Sequence, residues 1–175
     1  LVSSELMPRN HKIFFIKYIL GLIGKGYIQK ELKAQVEKVF QAGIKPAFVN
    51  GNQHLHLLPG VMNVVVRLAT EYGIPYIRIV NEPVSSGKGK FFRQAQLLFL
   101  NFLSRIAKSK IKKAGLECND YFVGFINAGN LSEDDIRQAQ KLAEQYPDEI
   151  VEFGCHPGFE GEELKNKYKH WGSYN

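Results

Sequence analysis

Cysteine is scarce in this chain, whose 175 residues include only Cys118 and Cys155. Two thiols cannot build the disulfide framework of a small secreted domain. A reducing compartment fits this composition best, so we expect the protein to be cytoplasmic. We expect Cys155, in an apolar strand near the C-terminal end, to behave as a small buried hydrophobe.

Long hydrophobic runs are lacking as well. The most apolar stretch, residues 13–23, contains Lys17 and Gly21 and is well short of the roughly 20 residues that a membrane span needs. It lacks a small-residue cleavage pattern, which argues against a signal peptide. We therefore expect a buried or lid helix here and no membrane partner.

Acidic residues are in modest deficit, with 17 Asp and Glu against 23 Lys and Arg and a net charge of +6. A nucleic-acid or phosphosugar binder could use the basic excess, and its affinity would depend strongly on salt. A solvated helix face is the commoner reason for such a lysine cluster, so we do not expect nucleic acid to be the partner. Much of the excess lies at Lys108, Lys110, Lys112 and Lys113.

After the apolar segment at residues 13–23, apolar periodicity predicts four helices and four strands in alternation. With 45% hydrophobic residues, the chain can bury the core of one domain. One helix is predicted to begin at a Ser132 cap with Asp135 three residues on, and to bury Ile136. The other helices are predicted over about residues 28–42, 61–72 and 91–114, and the strands over residues 44–49, 76–80, 121–127 and 150–155.

The alternation of strands with helices of a dozen or more residues is typical of an α/β fold with a parallel sheet. Four strands are too few to close a barrel, which takes about eight, and an open sheet would leave two apolar edges. The chain also opens on Leu1 rather than methionine. We therefore expect an incomplete TIM-like β/α barrel with its N-terminal strands missing, forming a single partial domain over residues 1–175.

Polar side chains concentrate just past the strand predicted at residues 44–49. If this segment is extended, Asn50, Asn52, His54 and His56 share one face. Burial of four polar side chains next to a buried strand costs free energy unless they contact a ligand, a metal or one another. Imidazole and amide oxygen are both metal-ligand types. The alternative is a hydrogen-bonded loop whose histidines satisfy backbone carbonyls.

A second histidine lies at the end of the last predicted strand, in the segment E-F-G-C-H-P-G. Glu152, Gly154 and His156 alternate onto one face there. A histidine placed rigidly at a strand end suits general acid or base catalysis, because its pKa lies near neutrality. A histidine bonded to a loop is the structural alternative.

Arg78 is the one charged residue inside the strand predicted at residues 76–80. An arginine in the interior of a barrel usually pairs with a carboxylate, for which Glu82 and Glu152 are the candidates. A structural ion pair and the orientation of a catalytic group are both consistent with this position.

The order of these motifs closely resembles that of the YdjC-like family of carbohydrate deacetylases, which includes chitooligosaccharide deacetylases. The motifs are N-G-N-Q-H-L-H-L-L-P-G-V, an amphipathic helix, G-I-P-Y-I-R-I and then E-F-G-C-H-P-G, between about Ile28 and Gly158. The resemblance implies a metal-dependent hydrolase on a TIM-like barrel, with magnesium or zinc activating a water. Its implied substrates are N-acetylated amino sugars or chitooligosaccharides, from which it removes the acetyl group.

The resemblance also implies roles for single residues. His156 would assist proton transfer to the leaving amine, and we assign Arg78 to the catalytic group with it. The implied metal ligands are Asn52, His54 and His56, and we assign Asn50, Pro59 and Glu82 to substrate binding.

Departures from the family pattern lower the expected activity. In the pattern Asp-x-His-x-His-x-His-x-x-Pro, Asn50 replaces the aspartate and Asn52 the first histidine. Asparagine is a weak neutral ligand for magnesium, and zinc would lose a favoured nitrogen donor. The family's Ala-Asp-Asp-Phe-Gly and Gly-x-His motifs are not in their expected places, and we expect them upstream of Leu1.

Two hypotheses follow from these departures. In the first, the full-length protein is a deacetylase with a weakened metal site, and this chain alone has negligible turnover. In the second, it is a barrel that binds sugar or a partner and has lost catalysis. Whether it forms a homodimer is left open.

Overall fold

The structure is a computed structural model that describes residues 10–84, 91–156 and 162. It confirms the predicted alternation of helices and strands. The elements in chain order are α1 (His11–Ile19), α2 (Lys25–Gln41), β1 (Phe48–Val49), a 3₁₀ segment (Asn52–Leu57), α3 (Pro59–Glu71), β2 (Tyr76–Ile77), α4 (Phe91–Lys113), β3 (Tyr121–Val123), α5 (Glu133–Gln145) and β4 (Val151–Phe153).

The strands are shorter than predicted, with two or three residues each. Apolar character extended the predicted strands beyond the residues that form a ladder. Ile79 and Val80, for example, are fully buried although they lie beyond β2. The serines and glycines of residues 84–90 predict a flexible loop, and these residues lie outside the described ones except for Val84.

The chain divides into two compact units, and the first comprises Leu1–Ile79 and Leu103–Cys118. Its strands β1 and β2 pair in parallel, with Phe48 opposite Tyr76. Parallel neighbours need a crossover connection, and α3 supplies it. A parallel bridge from Tyr76 to Glu117 extends the pairing on the other side of β2.

Among the described elements of the first unit, helix α3 contributes the largest number of buried hydrophobic residues. Pro59 occupies its first position, where the missing N–H has no helical partner to lose. Gly73 follows its end at a φ of +66°, which glycine adopts without strain. The predicted helix is confirmed, and its buried residues are Val61, Met62, Val64, Val65, Leu68 and Ala69.

The second unit comprises Val80–Phe102 and Asn119–Asn175. Its strands β3 and β4 pair in parallel, with Tyr121 opposite Val151, and α5 connects them. Two parallel pairs with helical crossovers confirm the α/β class with parallel strands. The closed barrel and the missing N-terminal strands stay predictions.

Of the two alternatives predicted for residues 13–23, a buried or a lid helix, the buried one is wrong, because α1 buries only Phe14 of its nine residues. The prediction that Cys155 is buried is also wrong. Cys155 is exposed, two residues beyond the end of β4 at Phe153. In residues 10–84 and 91–156, no helix combines the length and the apolar character that crossing a bilayer requires.

The buried side of α5 also differs from the prediction. Asp135 is buried, whereas Ile136 is 47% exposed. The capping box predicted at Ser132 is confirmed, and it turns Asp135 inwards. The Asp135 carboxylate accepts hydrogen bonds from the Ser132 backbone and from Asn127, which replaces the water that burial removes.

Candidate functional site

The histidine loop, residues 50–58, follows β1 in the first unit. The loop is not extended, because Gln53 and His54 lie in the left-handed region at φ of 51° and 56°. Such values are uncommon outside glycine and bend the chain back on itself. The condition under which the polar side chains of the loop would share one face is therefore not met. His54 and His56 consequently do not line one face of a strand, and their ring centroids lie 6.4 Å apart at an interplanar angle of 53°.

Both ring nitrogens of His56 are hydrogen-bonded to the backbone. Nδ1 accepts from the Gly51 N–H at 3.1 Å, and Nε2 lies 2.8 Å from the Arg78 carbonyl. Because an N–H only donates and a carbonyl only accepts, the imidazole is the neutral form with its proton on Nε2. A side chain at Gly51 would collide with the His56 ring, so the loop requires glycine there.

The environment of His56 also determines its charge. The ring is 4% exposed. Burial, with a smaller contribution from the positive charge of Arg78, lowers the pKa of His56 to about 4, although the hydrogen bond to the Arg78 backbone opposes both effects. At neutral pH His56 is therefore uncharged. This arrangement matches the structural alternative, a histidine that satisfies the backbone.

These bonds bear on the predicted metal ligands. A ligating histidine must offer a lone pair, and in His56 one nitrogen uses its lone pair while the other carries the proton. Asn52 is exposed and His54 is half-buried. Within the described part of the chain, no cluster of three or more His, Cys, Asp or Glu could hold an ion. In this conformation Asn52, His54 and His56 do not fit a metal ion, and their assignment as ligands stays a prediction.

A cavity of about 340 Å³ adjoins the histidine loop within the first unit. Asn50, Asn52 and His56 line it, whereas His54 does not. The remaining walls are mainly aliphatic side chains of α2 and α3. Three of the predicted site residues are thus brought to one cavity, and the amides of Asn50 and Asn52 are exposed and available to a ligand.

Two polar residues of α2, Glu31 and Gln35, also line this cavity and were not among the predicted site residues. The sequence contains a signal for them. In the helix predicted over residues 28–42, Glu31 lies three residues after the apolar Ile28, and Gln35 lies four residues after Glu31, a spacing that places all three on one face. A charged residue on the buried stripe of a helix requires a partner or a function.

In the second unit, the β3–β4 rim consists of residues 124–126 after β3 and residues 154–156 after β4. Gly124 has a φ of +121°, and a side chain there would collide with the Gly154 carbonyl. A side chain at Gly154 would collide with the ring of Phe122. The two glycines therefore allow the strand ends to lie side by side. His156 is exposed on this rim. Pro157 and Gly158 follow it, and the sharp turn that this dipeptide predicts lies outside the described residues.

Glu82 is hydrogen-bonded to the backbone of the β3–β4 rim. It is 1% exposed, and its carboxylate accepts from the backbone N–H groups of Phe125 at 2.6 Å and Ile126 at 3.3 Å. Burial raises the pKa of Glu82, and these hydrogen bonds oppose the rise. The carboxylate therefore positions the loop after β3. Its assignment to substrate binding stays a prediction.

Two further residues complete this network and were not predicted. Asn101 accepts from the Glu82 N–H at 3.0 Å and donates to the Glu82 carbonyl at 2.8 Å. Arg93 donates to the Phe125 carbonyl at 2.6 Å, and its Cζ lies 3.8 Å from the Phe125 ring centroid. Burial lowers the pKa of Arg93, while the charge of Glu82 opposes that change. Asn101 was detectable as the single polar residue in the run L-L-F-L-N-F-L.

Arg78 lies just beyond β2 rather than inside a strand. Its N–H donates to the Val49 carbonyl at 3.1 Å, so the backbone pairing continues past the ladder. Its half-buried guanidinium lies 5.7 Å from the Phe48 ring centroid. The predicted pairing with Glu82 or Glu152 stays a prediction. Pro59 is exposed at the start of α3.

The basic end of α4 has the character of a solvated face. Lys112 and Lys113 are exposed, and the Lys110 ammonium donates to the Asn63 side-chain oxygen at 2.6 Å. A lysine already bonded to its own fold contributes less to a phosphate-binding surface. The geometry thus gives no specific support to a nucleic-acid or phosphosugar site.

Comparison with known proteins places the chain in a family. The model of the YdjC-like proteins matches residues 3–173, which is nearly the whole sequence. The chain belongs to the YdjC-like family. The resemblance noted from the histidine motifs is confirmed.

Curated relatives of this YdjC-like chain are named carbohydrate deacetylases. The protein of Xenopus laevis is 27% identical over 158 residues, which cover 79% of this chain and 50% of the relative. That of Danio rerio is 31% identical over 106 residues, covering 58% and 30%. That of Geobacillus stearothermophilus is 39% identical over 57 residues, covering 31% and 23%. The YdjC-like chain thus matches half or less of the length of these relatives.

A solved structure supports the α/β fold. It is described as a proposed cellobiose-phosphate cleavage protein from Enterococcus faecalis V583, and it aligns with 90% of this YdjC-like chain at a TM-score of 0.54. The alignment covers 51% of that protein at 19% sequence identity. At this identity the likeness concerns the fold alone.

Proposed function

We propose that residues 1–175 form one partial domain of a carbohydrate deacetylase, an amide hydrolase that removes N-acetyl groups from amino sugars or chitooligosaccharides. The observation that carries this proposal is the family match over residues 3–173, together with relatives named carbohydrate deacetylases. The placement of the polar residues supports it, because they follow parallel strands at the ends where α/β enzymes build active sites. A TIM-like barrel completed by further N-terminal strands is part of the proposal.

The proposed roles follow the geometry of each unit. His156 protonates the leaving amine, since it is exposed at the end of a strand whose neighbour is anchored by Glu82. Arg78 orients the reacting group. Asn50 and Pro59, both exposed, contact the sugar, and Glu82 acts on substrate binding through the loop that it holds.

The proposed function includes a divalent metal that this chain binds only weakly. The neutral Asn52 and the backbone-bonded His56 are poor ligands as they stand, so no step is derived through the ion. We expect magnesium or zinc to bind this chain weakly and turnover by this chain alone to be negligible.

The function is tested by acetate release from N-acetylated chitooligosaccharides. We expect release by a full-length protein that contains these residues, and no measurable release by the 175-residue chain with or without added metal. Metal-dependent release by the chain alone would contradict the second expectation. A full-length protein that binds these sugars without releasing acetate would refute the deacetylase proposal.

That last outcome defines a second candidate function, a sugar- or partner-binding barrel without catalysis. The locked His56 and the two asparagines at Asn50 and Asn52 favour it, because both reduce the supply of metal ligands. Sugar binding that is unaffected by removal of divalent metal would support it.

Substitution of Asn52 by histidine tests the metal position. If Asn52 occupies a ligand position in the complete protein, Asn52→His should tighten zinc binding by about 1–3 kcal/mol, as for a recovered ligand. Isothermal titration calorimetry with zinc measures the change. Gln53→His, which places a histidine one residue along the same exposed loop, is the matched control and should leave the affinity unchanged. Equal affinities for the wild type and Asn52→His would mean that Asn52 does not face the ion.

Substitution of His156 by alanine tests the general acid. In a full-length protein that releases acetate, His156→Ala should lower turnover by roughly 10²-fold, because the leaving amine loses its proton donor. Zinc affinity should stay the same. Cys155→Ala, at the exposed neighbouring position of the rim, should leave turnover unchanged. Unaltered turnover in His156→Ala would assign His156 a structural role.

A further inference from the structure

The cavity of the first unit contains a carboxylate that the proposed reaction does not use. Glu31 lines this cavity and is 5% exposed. Among the described residues, its carboxylate accepts one hydrogen bond, from the Gln35 amide at 2.9 Å. Two carboxylate oxygens can accept about four hydrogen bonds. Most of the hydrogen-bonding capacity of Glu31 is therefore available to a ligand in the cavity.

Among the described residues, Glu31 makes no ion pair, and His11, a basic side chain of α1 that also lines the cavity, makes none with it. The described ion pairs of α2 join Lys33 to Glu37 and to Glu71, and neither includes Glu31. Gln35 is neutral and leaves the charge in place. A buried carboxylate is costly unless a positive group lies beside it. A cationic ligand would supply that group.

The size and walls of the cavity restrict the ligand further. A volume of about 340 Å³ is near the lower end of the roughly 300–1,000 Å³ typical of small-molecule sites, which suits a single sugar ring. Aliphatic walls can pack against the C–H face of such a ring. The amides of Asn50 and Asn52 line the same cavity and can exchange hydrogen bonds with hydroxyl groups.

We propose that this cavity binds the ammonium form of a 2-amino-2-deoxy sugar, with Glu31 as its counter-charge. The inference rests on the proposed function, because removal of an acetyl group leaves such an amine on the sugar. An N-acetyl group offers the carboxylate one N–H and no charge, whereas an ammonium offers three donors and a full charge. The cavity therefore recognises the deacetylated sugar in preference to the acetylated one.

Calorimetry with glucosamine, glucose and N-acetylglucosamine tests the preference directly. The titrations use the 175-residue chain at about pH 6.5, where the amine is protonated, with a chelator present to exclude divalent metal. We expect glucosamine to bind about tenfold or more tightly than either neutral sugar, as for one charge-assisted hydrogen bond in a buried site. In Glu31→Gln, which keeps the shape and removes the charge, the preference should fall to about twofold or less.

Two variants serve as controls for folding and for charge. Glu37→Gln removes a carboxylate of the same helix that bonds to Tyr72 and does not line the cavity, so it should retain the full preference. Glu31→Asp keeps the charge and should retain part of the preference, which keeps the test valid if Glu31→Gln does not fold.

Three outcomes would overturn the proposal. They are equal affinities of the wild type for glucosamine and glucose, an undiminished preference in Glu31→Gln, and no detectable binding of glucosamine at about 10 mM, a concentration that reveals even very weak sites. Acetate release is not a readout here. If the deacetylase proposal is wrong, the full-length protein releases no acetate while the 175-residue chain still prefers glucosamine. If the cavity proposal is wrong, the full-length protein releases acetate while the 175-residue chain shows no preference for glucosamine.

Discussion

Replacement of Glu82 by alanine should lower the free energy of unfolding by about 3–5 kcal/mol. The Glu82 carboxylate is almost fully buried and accepts the backbone N–H groups of Phe125 and Ile126. Truncation leaves both donors without their acceptor in a dry environment, and it leaves Arg93 without the negative charge that opposes the lowering of its pKa. Urea unfolding of the variant and the wild type measures the loss.

Glu82→Gln is the matched control for this prediction. Its side-chain oxygen can still accept one of the two N–H groups, so the loss should be smaller, about 1–2 kcal/mol. A loss below about 1 kcal/mol in Glu82→Ala would mean that the loop after β3 finds other acceptors, since even one orphaned buried donor costs that much. The role of Glu82 in holding the β3–β4 rim would then be wrong.

Acidification should destabilise the protein through His56 by about 3 kcal/mol between roughly pH 7 and pH 4. An unfolded histidine titrates near pH 6.5, whereas burial lowers the pKa of folded His56 to about 4. Between these values the unfolded state binds more protons, so stability rises with pH. The contribution is complete above about pH 6.5 and is lost as the pH falls towards about 4.

The measurement is urea unfolding across this pH range for the wild type and His56→Gln. Carboxylates also contribute to acid destabilisation, so the difference between the two pH profiles isolates His56. His56→Gln should be less stable at neutral pH and should vary less steeply with pH. His11→Gln, at an exposed position, should retain the steeper profile of the wild type. Parallel profiles for wild type and His56→Gln would show that His56 is not protonated on unfolding.

Helices were predictable from the sequence to within a few residues at most, because their apolar period depends on neighbours in the chain. Residues 61–72 were predicted for α3, and Pro59–Glu71 is observed. The lengths of the strands were not predictable from the sequence, since strand pairing requires partners far away along the chain. The segment predicted over residues 121–127 pairs only as far as Val123, where Gly124 and the hydrogen bonds to Glu82 end the ladder.

The polar residues of the site were likewise visible in the sequence, but their roles were not. The motifs around His54, His56 and His156 were sufficient to identify the family. An alternating pattern cannot reveal that Gln53 and His54 adopt left-handed conformations, which turn His56 towards the backbone of Gly51 and Arg78. Glu31 was not among the predicted site residues, because its proposed role depends on a cavity formed by several elements.

The family, the α/β class, the helices and the positions of the histidines could all be read from the amino-acid order, since they follow from local periodicity and motif order. Which polar groups are bonded to the protein and which face a cavity could be seen only in the folded chain. His56 and Glu82 are bonded to backbone from distant segments, whereas Glu31 retains acceptor capacity. Burial and hydrogen-bond partners depend on segments far apart in the chain, and these two factors decide the charge and availability of each group.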